Sequence, residues 1–268
     1  MMRGTARAQR KRRLVLATML ALPLLAYLAL CLLMYGRQQS LVYFPQGTRM
    51  DAVHTDYAIK RDGVALRGWL INPGQADALI YFGGNAEAIE GMRTRLSRWF
   101  PDRSIYLLAY RGYGASDGEP DEAALVGDGL ALFDHVRSRH RQGDVALIGR
   151  SLGSGVASQV AAQRPVKQLV LVTPFDSLAE VGAGHYPWLP VNWLLRDRYD
   201  SHRHLANFDG QVLVIRAGRD QVVPPVHTNR LIAALPKAPE VVDVAEASHD
   251  TVLSGDVPVE AMARFLAR

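Results

Sequence analysis

From Leu14 to Tyr35 the chain runs 22 residues without a charge, and beyond it short apolar runs alternate with stretches whose apolar residues recur at helical spacing. At about 1.5 Å per residue the first run, as a helix, spans the roughly 30 Å hydrocarbon core of a bilayer. Pro23 is tolerable there, because neighbouring backbone adjusts to the missing donor. The run is longer than the apolar part of a secretory signal and ends without a small-x-small cleavage site, so a retained anchor is favoured over a cleaved leader. Bulky Leu30 before Cys31 argues against a lipid-modified cysteine.

The later pattern predicts strands at Val53 to Lys60, Val64 to Ile71, Ala78 to Phe82, Ser104 to Ala109, Val145 to Ile148, Leu169 to Val172, Val212 to Ile215 and Val241 to Val244. Helices are predicted at Ala86 to Trp99, Asp121 to Arg139, Ser151 to Gln163, Val226 to Leu235 and Val257 to Leu266. Strands alternating with helices imply an α/β fold with a mostly parallel sheet. Arg61, Asp62 and Gly63 join the first two strands too tightly for a crossover, so that pair should be an antiparallel hairpin. Between Phe175 and Phe208 no strand is evident, and Tyr186, Pro187, Trp188, Pro190 and Trp193 crowd the segment. A connection that long reads as an inserted cap, at about 176–208.

Composition narrows the class. The chain has 268 residues, 49% hydrophobic and 21% charged, enough to bury a full core, which excludes disorder as the main state. Glycine and proline follow no three-residue period, and no repeat of roughly 20–50 residues appears, which excludes collagen-like and solenoid forms. The single cysteine, Cys31, leaves no intrachain disulfide and lies inside the apolar run as a small hydrophobe.

Charge has to be divided along the chain. Arg3, Arg7, Arg10, Lys11, Arg12 and Arg13 precede the apolar run without one acid; the 31 Lys and Arg less these six leave 25 against 26 Asp and Glu. The basic character belongs to a tail, residues 1–13, and nucleic acid is not an expected partner. Only Arg37 and Arg49 follow the run closely, so the N-terminus should be cytoplasmic and the body, residues 36–268, extracytoplasmic, or periplasmic in a Gram-negative bacterium.

The pattern Gly-x-Ser-x-Gly occurs twice, as GASDG from Gly114 and GRSLG from Gly149. The chemistry of this motif needs Ser on a sharp turn from strand to helix, where a strained backbone exposes the hydroxyl at the sheet edge. GRSLG has that setting, entered by Val145 to Ile148 and left by the helical pattern Val156, Ala157, Val160, Ala161. GASDG runs into Glu119 and Pro120, which makes Ser116 a turn residue. A nucleophilic Ser needs a base and an acid to orient it, here expected in the order Ser, acid, His. His249, shortly after the last strand, and Asp220, in the turn AGRDQVVPP after the seventh, meet the requirement; a turn-forming Asp and a solvated loop His are the bland alternatives. His227 begins a helix, and Asp197, Asp200 and Asp243 lie in the insert or a strand, all less well placed. His202 and His204 alternate as a metal pair would, yet no further ligand cluster accompanies them, so surface positions are preferred and no metal is expected. For the oxyanion of acyl transfer the expected donors are the backbone N–H of Leu152 and that of Asn85 in YFGGNAE.

The set YFGGNAE, YRGYGASDGEP, GRSLGSG, TPFDSL and GRDQVVPP resembles the α/β-hydrolase superfamily from about Gln38 to the C-terminus, more narrowly the membrane-anchored serine hydrolases related to protein depalmitoylases and the serine aminopeptidase-like group. The resemblance implies an eight-stranded sheet with its second strand antiparallel and a cap between the sixth and seventh strands. It matches Ser151 to the nucleophile, Asp220 to the acid, His249 to the base and the turn at Asn85 to the oxyanion loop. Gly83 stands where relatives commonly have His, Glu87 where they have a second Gly, and Ser248 where many place Gly before the catalytic His. The expected activity is cofactor-free hydrolysis of an ester or thioester with a hydrophobic acyl group, covered by Tyr186, Trp188 and Trp193, with Trp188 and Trp193 packing the cap onto the core as the alternative. A non-catalytic binding protein and a serine peptidase are the rival readings.

Overall fold

The computed structural model describes the backbone of residues 2–268 and the side chains of residues 11, 12 and 14–268. Of the expected basic tail, only Lys11 and Arg12 thus have described side chains. Helix α1 (Met2–Val42) carries the apolar run and continues seven residues past Tyr35. Its apolar window has a mean hydropathy of 2.4 and is only 6% buried, so the helix is no part of the body's core. It is long and apolar enough to cross a membrane.

Eight strands form one sheet: β1 (Tyr57–Arg61), β2 (Val64–Ile71), β3 (Asp77–Phe82), β4 (Arg103–Leu108), β5 (Val145–Arg150), β6 (Gln168–Val172), β7 (Gln211–Ala217) and β8 (Glu240–Val244). Their order is β1-β2-β4-β3-β5-β6-β7-β8, with β2 antiparallel to both neighbours and the rest parallel. Asp62 and Gly63 both take positive φ between the paired residues Arg61 and Val64, the two-residue turn whose twist matches a hairpin. The first strand starts later than expected because residues 52–54 form a 3₁₀ turn, capped by Asp51 accepting from the Val53 amide. The run from Ala86 likewise divides into a 3₁₀ turn (Ile89–Met92) and helix α2 (Arg93–Trp99).

Central strands β3, β5 and β6 are buried almost throughout, as unbroken apolar runs require when both faces are covered. Helices α3 (Glu122–Arg139) and α4 (Leu152–Ala161) pack as one layer, and the Asp121 carboxylate caps α3 by accepting from the Ala124 amide at 2.7 Å. Between β6 and β7 lie α5 (Leu178–His185), α6 (Val191–Leu194) and α7 (Ser201–His204), followed by α8 (Pro225–Ala234) after β7 and α9 (Asp256–Leu266) after β8. Arg95 of α2 reaches the carbonyl of Leu253 just before α9 and ties these two helices together.

The architecture sets where chemistry can gather. Loops after β3, β5, β7 and β8 all leave the C-terminal edge of the sheet, so Asn85, Ser151, Asp220 and His249 meet there although 164 residues separate the first from the last.

Candidate active site

Ser151 sits between the last residue of β5 and the first of α4 with φ 49° and ψ −118°, a region that a side chain rarely adopts. Hydrogen bonds hold it there. Its amide donates to the Val172 carbonyl at 2.9 Å, and its carbonyl accepts from the Ser154 amide at 2.8 Å and the Ser154 hydroxyl at 2.6 Å. The two glycines of the motif permit the approach of strand, turn and helix. A Cβ on Gly153 would stand 2.1 Å from the Phe82 carbonyl oxygen, and one on Gly149 2.4 Å from that of Gly153.

The His249 Nε2 is 2.9 Å from the Ser151 Oγ, and its Nδ1 is 2.7 Å from the Asp220 Oδ2. The other Asp220 oxygen accepts the amides of Val222 (2.9 Å) and Val223 (2.8 Å), which fixes the carboxylate plane. Both Asp220 and His249 are buried while Ser151 is partly open. A histidine held this way has its Nδ1 proton on the carboxylate and its Nε2 lone pair on the hydroxyl, so it can take the hydroxyl proton.

The loop after β3 faces Ser151 closely: a Cβ on Gly84 would lie 3.5 Å from the Ser151 Cβ. The Asn85 side chain is fully engaged, accepting from the Phe44 amide (3.1 Å) and the Tyr113 hydroxyl (2.6 Å) and donating to the Val42 carbonyl (2.6 Å). Burial raises the Tyr113 hydroxyl to about 12, although the Phe44 amide pulls the other way, so the phenol remains a donor at neutral pH. Among the described residues neither the Asn85 nor the Leu152 amide donates to another protein atom, which leaves two N–H groups for a ligand.

Two of the sequence's departures have a physical reason. At Gly83 a Cβ would be 2.6 Å from the Ile89 Cγ2, so a side chain here would require Ile89 to move. Glu87 folds back beneath the loop instead of leaving it bare. Its carboxylate accepts from the Gly84 amide (2.5 Å), the Tyr81 hydroxyl (3.0 Å) and the Arg150 Nη1 (2.9 Å). Burial lowers the pKa of the Arg150 guanidinium, but Glu87, Tyr81 and Asp250 together outweigh that and leave it raised. The pairing was not legible in the sequence, although each partner left a signal: Arg150 wedged between Gly149 and Ser151, and Glu87 in the loop after β3.

The remaining candidates take other places. Ser116 is buried, donating to the Ala109 carbonyl at 2.8 Å and accepting from the Arg67 amide at 2.9 Å, far from the other named groups in its hydrogen bonding. The His227 Nδ1 pairs with Asp176 at 2.8 Å, a second buried His–Asp pair, and among the described residues no hydroxyl hydrogen-bonds its Nε2. Asp197 accepts from Tyr43, Asp200 from Ser177 and Arg198, and Asp243 pairs with Arg216. The His202 ring bonds the Asp176 carbonyl.

Ser151, Leu152 and Asn85 open on a cavity of about 540 Å³. Leu178, Val181, Leu189 and Leu194 of the β6–β7 segment form one side, and Met34, Gln38 and Leu41 of α1 form another. Tyr186 lines it. Trp188 and Trp193 are not among its lining residues and are 56% and 90% exposed. The part played by α1 was also missed, because an apolar run reads as a span and gives no sign of a second duty at its end.

Comparison with known proteins agrees with the architecture. The family model of serine aminopeptidase, S33, matches residues 82–196. The uncharacterized protein Rv2307c of Mycobacterium tuberculosis is 36% identical over 92% of this chain and 95% of its own length. The lysophosphatidylserine lipase ABHD12 of Danio rerio is 26% identical over 67% of this chain and 58% of its own. Among solved structures, the Pyrococcus furiosus esterase Pf2001 superposes with a TM-score of 0.66 at 17% identity, covering 80% of this chain and 91% of the esterase.

Proposed function

The chain belongs to the α/β-hydrolase superfamily and is a hydrolase, and on that premise we propose that it cleaves a carboxylic ester or thioester through an acyl-enzyme on Ser151. The observation that carries the reading is the unbroken hydrogen-bond chain from Asp220 through His249 to Ser151 at the mouth of an apolar cavity.

In the first half-reaction His249 takes the Ser151 proton as the oxygen attacks the carbonyl carbon, and the Asp220 carboxylate steadies the imidazolium that forms. The charge developing on the carbonyl oxygen is received by the amides of Asn85 and Leu152. Collapse expels the alcohol or thiol, protonated by His249. Water then gives its proton to His249, attacks the acyl-Ser151 carbonyl and releases the acid. The chemistry calls for no metal or cofactor.

The cavity favours an apolar acyl group, with Tyr186 beside it, and the relatives described as a lipase and as esterases support ester substrates. An aminopeptidase must hold a terminal ammonium, and among the described residues no carboxylate lines the cavity, which weighs against that activity. Residues 14–35 serve as a membrane anchor with the N-terminus cytoplasmic and the body, residues 36–268, outside; residues 176–208 act as the cap.

A fluorophosphonate probe tests the reading against a non-catalytic fold. The folded wild-type chain should be labelled and Ser151→Ala should not. An unlabelled wild type, or equal labelling of the variant, overturns it.

A further inference from the structure

Trp188 and Trp193 are large, apolar and outside the cavity, and their position against α1 gives them a partner. The Tyr27 hydroxyl donates to the Trp188 carbonyl at 2.9 Å. Tyr27 lies two turns, about 12 Å, inside the end of the uncharged run at Tyr35. With 14–35 crossing the bilayer, as the reading above holds and on which this inference rests, the Trp188 loop meets the helix at the depth of acyl chains.

The polar groups are ordered accordingly. One stage nearer the body, the Arg196 guanidinium stacks over the Tyr35 ring, 4.5 Å from its centroid, and donates to the Tyr35 carbonyl at 3.3 Å. The Trp188 carbonyl at the level of Tyr27, the Leu194 carbonyl reached by Gln38 just past the uncharged run at 3.3 Å, and a cation at the level of Tyr35 set the segment along a leaflet's profile, from hydrocarbon at Trp188 to the phosphate level near Leu194. The cavity continues the same geometry, since its α1 wall begins at Met34, within the uncharged run, and its opposite wall is the segment that carries the tryptophans.

We propose that residues 186–194 are seated in the extracytoplasmic leaflet beside α1, and that the acyl substrate enters the cavity sideways from the bilayer rather than from water. The occupant of the Trp188 and Trp193 surface is thus the acyl region of the lipid. The anchor and the insert together form the entrance.

The test uses the full chain in phosphatidylcholine vesicles. With Cys31→Ser removing the native thiol, Trp193→Cys carries an environment-sensitive fluorophore, and Arg141→Cys, exposed beyond the opposite edge of the sheet, serves as the reference. Nitroxide on lipid acyl chains should quench the label at 193 and not that at 141, while aqueous iodide does the reverse. Equal iodide access at both positions overturns the proposal. Trp193→Ser should lose rate several-fold on a long-chain ester held in vesicles and keep its rate on a soluble short-chain ester; unchanged rates on both overturn lateral entry. A wild-type chain inert toward both esters would instead sink the esterase reading, and the label depths would still decide this one.

Discussion

The Arg150 Nη1 lies 2.9 Å from the Glu87 Oε1, which joins the residue before Ser151 to the loop that carries Asn85. The same guanidinium reaches the His249 carbonyl at 3.4 Å. Three loops from three strands are therefore held by one ion pair whose side chains are only 15% and 10% exposed. Removing one partner of such a pair leaves the other charged, buried and unmatched, a loss of about 3 to 5 kcal/mol. Glu87→Ala should lower stability by about 3 kcal/mol on that basis. It also frees the Gly84 amide, so kcat should fall more than KM changes. Chemical denaturation in detergent and steady-state kinetics check both, and the double variant with Arg150→Met should lose less than the sum of the singles.

The two buried histidine–carboxylate pairs should behave oppositely. His249→Asn removes the proposed base and should abolish probe labelling, while the Val222 and Val223 amides keep the Asp220 carboxylate partnered. His227→Asn breaks a pair that braces α8 against the β6–β7 segment, so labelling should persist while stability drops by about 2 kcal/mol. Loss of labelling in His227→Asn with an unchanged midpoint would reverse the assignment.

Ser116, in the other Gly-x-Ser-x-Gly sequence, should matter for folding alone. Ser116→Ala strips a partner from the Arg67 amide and the Ala109 carbonyl, which costs about 2 kcal/mol where such groups are buried. The expected result is a lower thermal midpoint with active-site labelling equal to wild type.

One histidine outside the site gives a pH dependence. Burial, and then the nearby Arg139, lower the His135 pKa from its ordinary 6.5. Above 6.5 the folded and unfolded chains both hold this ring neutral, and its contribution is fully present. As pH falls below that value the unfolded chain takes up a proton that the folded one resists, so stability declines through the folded pKa. His135→Asn should therefore show a shallower fall in urea midpoint between pH 7 and about pH 5 than wild type.

Much of this was readable from residue order. Unbroken apolar runs such as Leu169 to Val172 mark strands covered on both faces, and Asp62-Gly63 fixes a hairpin through backbone sterics alone. Ser151 stood out from Ser116 by what flanked it, a strand before and a helix after. Less visible were the groups whose roles depend on distant neighbours. Glu87 and Arg150 are 63 residues apart, and nothing in either segment announces that they share a buried contact. The tryptophans mark another limit: aromatic content does not say which way a side chain faces, and Trp188 and Trp193 stand exposed beside the cavity, not along its lining.

Because α1 runs as one helix from the apolar stretch to Val42, the body is mounted on a stiff shaft rather than a tether. Helical phase then fixes which face meets the body: a single residue inserted among 36–40 would turn residues 14–35 by about 100° and carry Met34 off the cavity wall and Tyr27 away from the Trp188 carbonyl.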